Sequence, residues 1–269
     1  MEDTPLRRAE RTYSAAADHF DLPAVGFWDR IGTAAVQRID LTAGQSVLDL
    51  CCGMGASALP AARTVGPTGR VVGIDIAEPL LVKARRRAEQ EGLVQARFER
   101  ADATNTGLPS GSFDAVVCVF GVFFVADMPA FVAEMWRMVR PGGRLAITTW
   151  GTGWVEPAST VFWESVHVIE PTLYKAFNPW DLVTTVPALE ALFTDGGATP
   201  VEAEAVAGQQ ELPRPEDFWD IVLGTGLRAT VDAMTGDQQQ ALHDRVINEI
   251  RADRIESVRT DVIHGTAVR

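Results

Sequence analysis

Cysteine is scarce in this 269-residue chain, with three in all, at Cys51, Cys52 and Cys118. Three cannot build a disulfide framework, and no histidine stands at ligand spacing from them, so neither a disulfide scaffold nor a metal site is expected. Long apolar runs are missing too; none approaches the ~20 residues of a membrane span. The opening MEDTPLRRAERTYS has no hydrophobic signal region, so the expectation is a cytoplasmic protein with no membrane partner. Positive charge is in deficit: 24 Lys and Arg stand against 36 Asp and Glu, a net −12. Such a surface repels phosphate backbones, and no nucleic-acid partner is expected. The basic run Arg85-Arg86-Arg87, close behind Lys83, reads as a solvated helix face. No internal repeat or low-complexity tract interrupts the chain, and its 46% hydrophobic fraction is that of a globular protein with ample core.

What is present centres on VLDLCCGMGAS, from Val47 to Ser57. Val47–Leu50 reads as a buried parallel strand that stops at a turn, and Ala56–Val65 as the helix beyond it. Glycine at Gly53 and Gly55 lets a ligand approach the backbone, and the helix brings its partly positive N-terminus to the same place. This is the nucleotide-type pocket of a doubly wound sheet. A second apolar strand, Gly69–Asp75, ends in an acid 20 residues after Gly55, placed to accept ribose hydroxyls. A third strand-like stretch, Ala96–Arg100, leads to Asp102 and Ala103, where a carboxylate can receive an adenine amino group. Phe113–Phe120 is a fourth buried strand, followed by a helix, the turn Pro141-Gly142-Gly143 and a fifth strand, Arg144–Thr149. Gly53, Gly55 and Ala58 also fit the dinucleotide pattern Gly-x-Gly-x-x-Ala, with Asp75 as its acid. A nicotinamide site, however, has no use for Asp49 or for Asp102–Ala103.

The order of these pieces resembles a class I S-adenosylmethionine (SAM)-dependent methyltransferase, and is most similar to the ubiquinone/menaquinone-biosynthesis (UbiE-like) group. The resemblance covers Val47–Trp150 well and the last third poorly. It implies an α/β, Rossmann-like, seven-stranded and mostly parallel sheet with an antiparallel last strand, helices on both faces and SAM as cofactor. The family's acids fall on Asp49, Asp75 and Asp102, its strand-four tail on Val119, Phe120 and Gly121, and its Pro-Gly-Gly turn on Pro141–Gly143. Its cofactor set then comprises Asp49, Cys51, Gly53, Gly55, Asp75, Ile76, Asp102, Ala103, Val119 and Phe120. Cys51 departs from the glycine common there, and Ile76 offers an apolar face to the adenine.

Ahead of the first strand, Leu6–Phe20 and Phe27–Ile39 read as helices. Their Tyr13 and Trp28 cover the cofactor, line the acceptor pocket, or pack the helices onto the sheet. Gly121–Val125 carries Phe123 and Phe124 where the family tends to polar residues, so an apolar wall is expected there and no base comes from it. Beyond Trp150, helices over Ala158–Ile169, Pro187–Phe193, Glu216–Gly224 and Gln238–Arg254 and strands Val201–Ala207 and Val262–Val268 are expected. The organisation is then one domain over 1–269, with a helical cap at 1–44, a SAM-binding core at 45–150 and a C-terminal part at 151–269. Helical insertions at about 152–185 and 213–258 are expected to lie over the cleft as a lid.

Trp150, Trp154, Trp163, Trp180 and Trp219 fall in or beside these late segments. They serve an acceptor pocket for a planar or apolar molecule, with Trp150 and Trp154 joining Phe123 and Phe124, or they form a core that holds the insertions together. Among four histidines, His167 is the candidate base, with His19 a weaker second. The expected activity is methyl transfer to carbon or oxygen of a small aromatic or hydrophobic metabolite. An amine or peptide acceptor, a SAM-binding protein that transfers no methyl, and a homodimer all stay open.

Overall fold

The computed structural model describes residues 5–269; residues 1–4 of the expected cap lie outside the described part. Two helices open the chain, α1 (Pro5–Ala16) and α2 (Phe27–Gln37), before strand β1 (Ser46–Leu50). Strands then alternate with helices: α3 (Ala58–Val65), β2 (Arg70–Asp75), α4 (Glu78–Gln90), β3 (Ala96–Arg100), β4 (Phe113–Val119), α5 (Met128–Met138) and β5 (Val139–Trp150). The alternation dictates a parallel sheet, because each right-handed crossover returns the chain to the same edge direction. β1 and β4 are apolar on both faces, as strands between two helical layers must be. β3 buries only Phe98, as befits an edge.

After β5 come α6 (Ala158–Ile169), α7 (Val186–Asp195), β6 (Val201–Val206), β7 (Gln209–Glu211), α8 (Glu216–Leu223), α9 (Arg228–Val231), α10 (Gly236–Ala252), β8 (Ser257–Arg259) and β9 (Val262–Val268). The main sheet has the order β3-β2-β1-β4-β5-β9-β6. β9 runs antiparallel between β5 and β6, as the family resemblance implied. Two features differ from the sequence reading. Pro141-Gly142-Gly143 is not a turn ahead of β5 but an excursion inside it, flanked by the pairs Phe113–Val139 and Ala115–Arg144. The second insertion is bracketed by strands the sequence reading did not expect: β7, just before it, and β8, at its end, pair as a separate two-stranded ribbon. Within the insertions α6 packs against α10.

On the exposed face of α4, Lys83 and the outer two arginines of the basic run make ion pairs. Lys83 meets Asp21 at 2.8 Å, Arg85 meets Glu78 at 2.6 Å, and Arg87 ties α4 to Asp29 of α2 at 2.8 Å. No helix among the described residues is long and apolar enough to cross a membrane.

Candidate cofactor and acceptor site

At the end of β1 the backbone turns through three left-handed residues, Cys51 (φ 58°), Gly53 (φ 53°) and Gly55 (φ 87°). The Cys52 N–H donates to Ile74 O at 3.0 Å, fastening this turn to β2. Asp75 fastens it again: one carboxylate oxygen accepts the Gly53 N–H and the other the Ala77 N–H, both at 2.8 Å. Burial pushes the Asp75 carboxyl above its ordinary range, and these two hydrogen bonds pull against that shift. Asp49 is 1% exposed. It accepts the Ser57 hydroxyl at 2.7 Å on one oxygen, and the other oxygen has no hydrogen-bond partner. Burial pushes its carboxyl up to about 7, with the Ser57 bond opposing and the Asp75 charge adding. Asp102 accepts both the N–H and the hydroxyl of Thr104 on one oxygen, at 2.8 and 2.7 Å.

Asp75 and Asp102 border a cleft that is open to solvent at its mouth. Tyr13, Trp28, Cys51, Gly53, Asp75, Ile76, Asp102, Ala103, Val119, Phe120 and Phe124 all line it. Asp49 and Gly55 support the turn from behind and do not line it. Trp28 stacks on Phe20 at 5.2 Å and 4°, and its buried Nε1 has no partner. Tyr13 meets Phe124 edge-on at 5.2 Å.

The remaining predicted positions lie elsewhere. Trp150 is not a pocket wall: it is buried, stacked between Phe120 (3.8 Å) and Trp154 (5.0 Å) beneath the cleft. Phe123 is buried as well, its ring 4.8 Å from Phe124 and 6.1 Å from Trp180. Trp154 faces a second, solvent-open cavity at the carboxyl end of β5, together with Trp163, Tyr174 and Trp180. His167 is exposed on α6, its ring against Tyr174 at 5.3 Å, and it lines neither cavity. The lid expectation also changes, because no residue of 152–185 or 213–258 lines this cleft. α1 closes it instead, through Leu6, Ala9 and Tyr13. Leu6 and Ala9 were missed, although the spacing 6, 9, 13 is one helical face and was the available signal.

The sequence profile described as "Methyltransferase domain" matches residues 47–143. Nocamycin O-methyltransferase of Saccharothrix syringae is 33% identical over 191 residues, covering 71% of this chain and 66% of that protein. Aklanonic acid methyltransferase of Streptomyces sp. strain C5 is 33% identical over 150 residues, covering 55% of this chain and 68% of that one. The chain belongs to the class I SAM-dependent methyltransferases. Its likeness to the UbiE-like group shows in the demethylmenaquinone methyltransferase of Thermus thermophilus, 43% identical over 105 residues, 39% of this chain and 47% of that one. The chain thus spans about two thirds of the first two relatives and about half of the third. The fold is shared with the solved [4+2]-cyclase SpnF at TM-score 0.59 and 16% identity, over 98% of this chain and 96% of that one. The cofactor of the family is SAM, and the residues present fit it. The cleft has a backbone-held carboxylate at the end of β2, and unpartnered buried polar atoms stand at Asp49 in the turn and at Trp28 in the cleft wall.

Proposed function

We propose that this chain transfers the methyl group of SAM to carbon or oxygen of a small aromatic or hydrophobic acceptor. Asp75 would hold the ribose hydroxyls, Asp102 the adenine amino group and Ile76 an adenine face. Asp49 and the turn Cys51–Gly55 would hold the methionine part. Bound there, SAM supplies an electrophilic methyl group and a good leaving group. The residues of the chain bring the nucleophile to it and keep water away.

The observation that carries the reading is the wall of the cleft. Tyr13, Phe20, Phe124 and Val125 make it apolar, and none of the described lining residues is a histidine or lysine. Burial and the Asp75 and Cys51 charges push the Tyr13 phenol above its ordinary range, so it stays protonated and donates rather than acting as a base. Such a site suits acceptors that carry their own acidity. The name of one relative, an O-methyltransferase, supports an oxygen acceptor. The net charge of −12 supports a small molecule over nucleic acid.

A shared fold with a cyclase means that transfer itself must be measured. Calorimetric titration with SAM, S-adenosylhomocysteine and NAD is expected to show binding of the two sulfur compounds and none of NAD. Asp75→Ala should weaken binding by roughly 1.5–3 kcal/mol, the worth of hydrogen bonds to a charged group. Turnover of an accepted substrate should then release S-adenosylhomocysteine at an unchanged rate in His167→Ala. Binding of NAD in place of SAM would overturn the reading.

A further inference from the structure

The second cavity begins at Gly151, beyond the carboxyl end of β5, the end at which open α/β sheets take their ligands. One layer of rings, with Phe123 between Phe124 and Trp180, separates it from the cofactor cleft. Methyl transfer needs its reacting atoms about 3–3.5 Å apart. Whatever the second cavity takes is therefore not the methyl acceptor.

The start of α6 sets much of its chemistry. Glu156 stands just ahead of the helix, and Thr160, Trp163 and Glu164 follow at the spacing of one helical face. Glu156 is fixed by the Ser159 and Thr160 hydroxyls. Glu164 is exposed and has no hydrogen bond or ion pair among the described residues. A third acid, Asp181, accepts the Asn178 N–H at 2.7 Å on one oxygen and leaves the other open.

Aromatic rings supply the rest of the wall. Trp163 and Tyr174 stand at 86° with centroids 6.3 Å apart, and Trp154 meets Trp180 at 5.3 Å and 80°. Ring faces carry negative potential, which attracts a cation. Trp154 is 8% exposed and its buried Nε1 has no partner, so one donor is left for an oxygen on a ligand.

Lys175 is the single cation among the described lining residues, and it is exposed. Its Nζ lies 5.9 Å from the Trp163 centroid, within cation–π reach, and it is ion-paired with none of the three acids. The Trp163 ring thus already attracts an ammonium, the chain's own. Three carboxylates against this one charge leave the cavity negative.

We propose that the second cavity binds an organic ammonium ion over the Trp163 ring, among Glu156, Glu164 and Asp181, with Lys175 as the cation it displaces. This site is separate from the cofactor cleft and does not depend on the methyltransferase reading.

The test titrates choline and its uncharged isostere 3,3-dimethylbutan-1-ol, followed by NMR, into protein saturated with S-adenosylhomocysteine so that the cleft is filled. Choline nitrogen is already fully substituted and can accept no further methyl. Choline should bind about tenfold more tightly than the isostere, the worth of a partly desolvated cation–π contact. Trp163→Leu should remove that preference, and Glu164→Gln, an exposed and structurally mild change, should weaken choline about two- to threefold. Lys175→Met should tighten choline, because the competing charge is gone, and all three variants should keep the wild-type affinity for S-adenosylhomocysteine. No saturable binding of choline, or equal binding of choline and the isostere, would overturn the proposal. So would a preference that survives in Trp163→Leu, or weaker choline binding in Lys175→Met. Failure of S-adenosylhomocysteine to bind would strike the methyltransferase reading alone, because the same variants still locate choline.

Discussion

Cys51 occupies a left-handed backbone position, at φ 58°, which disfavours any residue with a Cβ by roughly 1–2 kcal/mol. Glycine, which the family resemblance implies at this position, would carry no such cost, and the cysteine side chain has left its mark on a neighbour. A Cβ at Gly121 would lie 2.6 Å from Cys51 Cβ, 2.7 Å from its sulfur and 2.8 Å from Cys118 Sγ. Gly121→Ala should therefore cost about 1–3 kcal/mol by overpacking. Adding Cys51→Gly should recover part of it, because one of the two obstructing side chains is gone. Urea unfolding of both single variants and the double variant measures the coupling, and strictly additive losses would refute it. Cys51 could be marked as a departure from sequence alone, but its partner at Gly121 is 70 residues away and only packing reveals it.

At the scale of elements, α2 shows how a helix with no ligand group of its own, apart from Trp28, shapes the cleft. A Cβ at Gly32 would stand 2.4 Å from the Ala56 carbonyl oxygen and 2.5 Å from its carbon, both rigid backbone. α2 therefore rests directly on the start of α3, and Ala56 and Ser57 line the cleft. Gly32→Ala should push the helix off, lowering stability by about 1–3 kcal/mol and weakening S-adenosylhomocysteine binding with it; thermal shift and calorimetry read the two together. Helix α2 was legible from its apolar spacing, and β1, β2 and β4 from apolar runs bounded by turns. The β7–β8 ribbon was not legible. Gln209–Glu211 has no apolar alternation, and the strand that pairs with it begins at Ser257, after three intervening helices.

For the whole molecule, two buried groups set opposing dependences on pH. His264, 3% exposed and 2.9 Å from the Thr148 hydroxyl, is pushed down to about 4 by burial, with the Arg38 charge adding. The unfolded chain takes up that proton near pH 6.5 and the folded chain only near 4, so acidification from pH 7 to 5 costs stability, about 2 kcal/mol. Asp49 acts the other way. Held up at about 7 when folded, it is protonated in the native state across a range where the unfolded carboxyl is ionised. The same acidification therefore favours folding, again by about 2 kcal/mol. Relative to the wild type, His264→Gln should gain stability between pH 7 and pH 5 and Asp49→Asn should lose it. Urea midpoints at the two pH values check this, and identical slopes in both variants would show that neither group titrates as described.

The sequence by itself determined the sheet, the glycine turn and its three acids, because strand runs, turns and acids at strand ends are local patterns that backbone sterics translate directly. It determined the family for the same reason. Only the tertiary structure decided what closes the cleft and where the aromatics go. It put α1 over the cleft, Trp150 and Phe123 into the core, and Trp154, Trp163 and Trp180 around a second cavity, leaving His167 outside both. A tryptophan or histidine has the same local signature in a wall, a core or a surface. Which of these it occupies depends on segments far away in sequence that pack against it.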